Sequence, residues 1–134
     1  MRELSELSEL ELKEAHDAAA QLLSEKFRQY LQGPMLPTLL AKFRDDVLDV
    51  LGMELPPRLP MRVGHQKLDA LTDAELGTLE QRVATLLGKS DFMDDPALVG
   101  FLADLRQDLV AERGRARAAR HGSLAGRVDM LPSY

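Results

Sequence analysis

The chain has 134 residues, room for one domain with a modest core and little room for a second. Hydrophobic residues make up 45% and charged ones 29%, which excludes a disordered composition; with aromatics at 4% and no Trp, the core must be filled by Leu, Ala, Val and Met, as in closely packed helices. The lack of Cys excludes a disulfide framework, a thiolate nucleophile and a zinc–thiolate site, while the formal charge of −5 divides into five Arg without an acid at 113–127 and a remainder of −10.

The opening MRELSELSEL carries acids where a secretory signal needs a basic segment followed by an apolar run. No apolar stretch reaches the roughly 20 residues of a membrane span, so a cytoplasmic protein without a membrane partner is the expectation. Within this segment Leu7, Ser8, Glu11 and Leu12 form a complete helix start. With Ser8 as N-cap, its hydroxyl accepts from the N–H of Glu11 and the Glu11 carboxylate accepts from the N–H of Ser8, while Leu7 and Leu12 close as a hydrophobic staple. The spacing predicts a first helix from Ser8 to about Gln32, with Leu12, Ala15, Ala19, Leu22, Leu23, Phe27 and Tyr30 as its apolar stripe. Gly33 and Pro34 supply the stop.

A second helix is expected from about Pro37, which is tolerated in the first turn because the N–H it lacks needs no partner there. It turns Leu40, Phe43, Val47, Val50 and Leu51 inward and ends at Gly52. The short connection makes these two helices antiparallel neighbours. Residues 53–70 differ in kind: Pro56, Pro57 and Pro60 forbid a regular helix, yet Met53, Leu55, Leu59, Met61 and Val63 are apolar. An ordered crossover with those side chains buried against the helices is the expectation.

LTDAEL, residues 71–76, repeats the first helix start 64 positions on, with Thr72 and Glu75 as the capping box and Leu71 and Leu76 as the staple. Capped amphipathic helices written in the same few residue types look alike, a simpler reading than duplication of a helical hairpin. The third helix carries Leu76, Leu79, Val83, Leu86 and Leu87 to Gly88. Asp95 as N-cap and Pro96 at the first position open a fourth, with Leu98, Leu102, Leu105 and Leu109 at heptad-like spacing. Val99, Phe101 and Val110 widen this stripe beyond one seam and are the candidate face for a second subunit. The helix should continue to about Arg120, weakened by Gly114, with GSLAGRVDMLPSY as a tail. The expected fold is therefore all-α, an antiparallel four-helix bundle over 1–112 with a proline-rich crossover between its second and third helices, followed by a basic helix end and tail over 113–134.

Chemistry is less legible. Asp45, Asp46 and Asp49 form a DDxxD run that resembles the aspartate-rich motif of isoprenoid synthases, enzymes that also need a larger helical cavity and a second metal-binding segment absent here. Glu11-x-x-Glu14 with Asp46-x-x-Asp49 is similar to the paired acidic runs of the all-α NTP pyrophosphohydrolase family, with Asp in place of Glu in the second run and a longer gap. The resemblance implies a Mg²⁺ site at Glu14, Asp46 and Asp49. His16, His65 and His121 lack metal-ligand spacing, and no glycine-rich phosphate loop, GxSxG or HExxH occurs. No catalytic set and no cofactor are expected.

The basic end has direction. If helical, Arg106, Arg113, Arg117 and Arg120 lie close to one face, and with Arg115 and Arg127 they form a surface able to meet an acidic protein or phosphates. No aromatic residue is interleaved to stack on bases. The reading is a non-enzymatic helical interaction or assembly protein that binds another protein or itself, as a homodimer. The alternatives are a nucleic-acid-binding accessory protein and a Mg²⁺-dependent pyrophosphohydrolase.

Overall fold

The computed structural model of the chain describes residues 2–32, 35–57 and 64–129, the last eleven of these as helical backbone alone. Five α-helices and no strand occur among the described residues: α1 (Glu9–Leu22), α2 (Glu25–Arg28), α3 (Met35–Leu51), α4 (Asp73–Leu87) and α5 (Pro96–Asp129). The two capping boxes start α1 and α4. Glu11 N–H donates to Ser8 Oγ at 3.1 Å and Ser8 N–H to Glu11 Oε1 at 3.2 Å. Glu75 N–H donates to Thr72 Oγ1 at 3.2 Å and Thr72 N–H to Glu75 Oε1 at 2.9 Å. Both staples are closed, with Leu7, Leu12, Leu71 and Leu76 all buried. A single 3₁₀ turn precedes each box, Leu4–Glu6 and Leu68–Ala70, so the 64-residue echo includes the approach to the helix as well as its cap.

The first helix is shorter than its apolar stripe. Instead of one helix to Gln32, the chain breaks after Leu22, and the Ser24 hydroxyl accepts from Phe27 N–H to open the four-residue α2. A serine that bonds to nearby backbone offers the chain an alternative to the helical ladder. The stripe is still used: Leu23 and Leu31 are buried, and Phe27 and Tyr30 pack against the core half-buried. Gly33 and Pro34, the expected stop, lie outside the described residues.

In α3, Pro37 is the third residue and buried. The helix ends in a Schellman arrangement, Met53 N–H to Leu48 O at 2.9 Å and Gly52 N–H to Asp49 O at 3.0 Å, which requires Gly52 at φ +71°. Val50, expected inward, is 41% exposed, and Leu48 is buried, although at 100° per residue Val50 lies about 50° from the centre of the Leu36–Leu40–Phe43–Val47 stripe and Leu48 about 110°; burial at this end of α3 therefore follows what packs against the helix and not the stripe alone. The crossover also departs from expectation. Residues 53–57 and 64–67 have no regular secondary structure, and Met53 and Leu55 are 52% and 51% exposed where burial was expected. Pro60, Leu59, Met61 and Val63 lie outside the described residues. The chain is tied down at its far end: Gln66 N–H donates to Gln29 O at 3.1 Å, and Gln32 Nε2 to Gln66 O at 2.8 Å. Gly64 passes so close that a Cβ there would lie 2.5 Å from the carbonyl oxygens of Gln29 and Leu31.

Asp95 caps α5, its Oδ1 accepting from Ala97 N–H at 2.9 Å. This helix runs on to Asp129, so residues 121–129, expected in the tail, are helical. Strong helix formers at Ala116, Arg117, Ala118, Ala119 and Arg120 offset the glycines at 114, 122 and 126. The rest of the expected tail, 130–134, lies outside the described residues.

The core lies where α1 packs on α3 and α4, α4 on α5, and α3 on α5. Lys89 pairs with Glu14, Arg82 with Gln21 and Lys26 with Glu75, so numbers fall along α4 as they rise along α1 and the two helices are antiparallel. Ala15, Ala18 and Ala19 keep the buried face of α1 slim, and Leu22, Leu40, Leu76, Leu79, Leu86, Leu102 and Leu109 fill the centre. No buried polar or charged side chain occurs among the described residues. None of the helices in that set is long and apolar enough to cross a membrane.

Candidate interaction surface on the last helix

The face of α5 that packs inward is written Leu98, Leu102, Leu105, Leu109, all four buried. The same spacing of three and four then continues through positions 113, 117, 120, 124 and 127, which read Arg, Arg, Arg, Leu, Arg. One helical stripe thus changes from leucine to arginine along its length, at the level where α4 begins.

Arg113 marks the change. Its Nη1 donates to Glu80 Oε2 at 2.5 Å, and its Nε lies 4.0 Å from Oδ1 of Asp73, the first residue of α4. The bond to the Glu80 carboxylate, with the added field of Asp73, pushes the guanidinium pKa above its ordinary value and keeps the charge fixed. Arg115 is held by its own helix through two bonds to Glu112 Oε2, at 3.1 and 2.7 Å, and its pKa is raised by them. Arg106 and Arg117 are exposed and form no ion pair with the described residues. The side chains of Arg120 and Arg127 lie outside the described part, but their backbone is helical. From Arg113 the helix continues to Asp129, about 24 Å at 1.5 Å per residue.

The proposed self-association residues do not form one patch. At 100° per residue Val99 and Val110 lie about 20° apart on one flank of α5, whereas Phe101 lies about 160–180° away on the other. Val99 is half-buried, while Phe101 and Val110 are 36% and 49% exposed.

The acidic residues gather differently from the sequence pairing. Glu14 pairs with Lys89 at 3.7 Å, so it is engaged on the α4 side of α1. Asp46 lines a cleft between α3 and the start of α5, walled by Leu39, Phe43, Phe92 and Leu98, with Lys42, Asp94 and Asp95 at its edge. Glu3, Asp49 and Val50 line its continuation. Burial pushes the Asp46 carboxyl pKa up against the opposing pull of Lys42, and Asp94, Asp45 and Asp49 add to the rise. Among the described residues no three His, Cys, Asp or Glu side chains converge closely enough to hold a metal ion, and this includes Glu14, Asp46 and Asp49. His16 is half-buried and bonds to Asp17 at 3.1 Å, and His65 is exposed.

Sequence reading missed Glu80 and Asp73 as the partners of Arg113, and Glu3 and Asp94 as the neighbours of Asp46. Glu80 is 33 residues from Arg113, and only the α4–α5 register, set by an eight-residue connection between antiparallel helices, could have indicated the pair. No protein-family model, curated protein or solved structure matches this chain.

Proposed function

We propose that the chain is a non-enzymatic interaction or assembly protein. Its α1, α3, α4 and α5 form a four-helix bundle bridged by a proline-rich crossover, and that bundle presents the basic end of α5 to an anionic partner. The observation that carries this reading is the change of the α5 stripe from buried leucine to arginine at Arg113. A helix that only needed to cover the core has no physical reason to continue for another 16 residues, or to keep cations in register with its buried face. Arg113 supports the reading further, because its pairing with Glu80 and Asp73 fixes the direction in which the basic segment leaves the body. Preorganised cations lose little entropy on meeting carboxylates or phosphates, and arginine meets both with paired hydrogen bonds.

The test is affinity capture from the native cell with the full chain and with the Arg117→Ser/Arg120→Ser/Arg127→Ser variant. A partner retained by the full chain and lost by the variant is the expected result. An unchanged set of partners would overturn the assignment.

A further inference from the structure

We propose that the anionic partner of the basic helix end is the acidic end of a second copy, so that copies join head to tail. The proposal rests on α5 being the contact element and adds the identity of what it contacts. The two charged regions stand at opposite ends of one rod. Leu98 of α5 lines the acidic cleft with Asp46 and Asp94, whereas Arg117 and Arg127 follow about 28 and 44 Å further along the same uninterrupted helix. Screening at physiological ionic strength acts over about 8 Å, so the ends cannot neutralise each other within one copy. Between two copies they can.

The cleft is short of cations. Asp46, Asp94 and Asp95 line it with Lys42 alone, and its continuation adds Glu3 and Asp49. Val50 is exposed in the continuation, an apolar contact that suits position 124, where a leucine interrupts the arginine stripe. The contact is one of complementary charge, arginines on a helix face meeting the exposed carboxylates of Glu3, Asp49 and Asp94. Nucleic acid is the less suited partner, since it would approach a body of charge −10 and meet no Phe, Tyr or Trp in 113–127 on which a base could stack. The contact joins two different surfaces, so it is heterologous and propagates into rings or filaments instead of stopping at a symmetric dimer.

Sedimentation velocity on the pure full-length protein tests this with two variants. One carries Arg117→Ser, Arg120→Ser and Arg127→Ser; the other carries Glu3→Gln, Asp49→Asn and Asp94→Asn, three exposed positions in the acidic cleft and its continuation. The unaltered chain should sediment at about twice the monomer mass or more in dilute salt and return to monomer at about 0.5 M. Each variant alone should be monomeric, with helical circular dichroism unchanged. Their equimolar mixture should form a dimer and nothing larger, because each supplies the one surface that the other lacks. A monomeric unaltered chain, or self-association that survives in either variant, overturns the second copy as partner, and the captured partner of the previous section could still stand. Tight binding of a fluorescent RNA or duplex DNA that depends on the arginines but not on Glu3, Asp49 and Asp94 would also overturn it, in favour of nucleic acid.

Discussion

The two halves of α5 share one helix, one repeat and one face, and they differ only in what stands opposite. Between Leu98 and Leu109 the face meets α3 and α4 and is buried; from Arg113 onward it passes the first residue of α4 and is cationic. Helical propensity is local and continues through both halves, whereas burial requires a partner helix at the right level. The residue type on the stripe therefore records where the partner ends. It also sets the energies: a fully buried leucine is worth about 1.5–3 kcal/mol, whereas an exposed arginine pair is worth about 0–1 kcal/mol.

The largest expected effect follows directly. Leu102→Ala, at a fully buried position, should lower unfolding stability by about 2–5 kcal/mol in urea titration, while Arg117→Ala should change it by less than about 0.5 kcal/mol. Similar losses for both would break the distinction between the halves. Arg113→Ala, at the junction, should lie between them, as Glu80 and Asp73 lose their shared cation. Gly114 is exposed with open space at its Cβ position, so Gly114→Ala should raise stability and ellipticity together, by up to about 1 kcal/mol. A loss there would mean that the helix needs to flex at that point.

The smallest effect concerns acid. Glu75 is held down to about 2 by its bond from Lys26 and by the capping bonds at Thr72. A folded-state pKa below the unfolded one contributes stability above about pH 4.5, and that contribution is lost as pH falls toward 2. Glu75→Gln should flatten the acid limb of stability between those values in pH-dependent thermal melts, and Arg117→Ser should leave it unchanged because arginine does not titrate there. A changed acid limb in the arginine variant would show that the distal half is coupled to the folded body after all.

Legibility followed the distance between interacting residues. Ser8 with Glu11, Thr72 with Glu75 and Asp95 with Ala97 act within three residues, and each was readable because a cap and its target are neighbours in the chain. The break at Ser24 was harder: the apolar stripe from Leu12 to Tyr30 is continuous in spacing, whereas the serine's competing bond to Phe27 N–H opens α2 in a segment that also buries Leu31. Val50, Met53 and Leu55 were expected inside on grounds of hydrophobicity, yet nothing among the described residues covers them fully. Apolar character states what a residue gains from burial, not whether a surface is available to bury it. The same limit hid the acidic cleft, since Glu3, Asp46 and Asp94 come from three separate segments.

From its sequence alone this protein was bound to be helical, to start α1 and α4 at Ser8 and Thr72, and to carry its positive charge on α5, because caps, stripes and composition act over one or two turns. Tertiary structure decided that Glu14 faces Lys89, that Asp46 joins Glu3 and Asp94, and that Arg113 closes the packed half of α5 against Asp73 and Glu80. Those pairings depend on the level at which one helix meets another, and that level is set by the whole core filling its space at once.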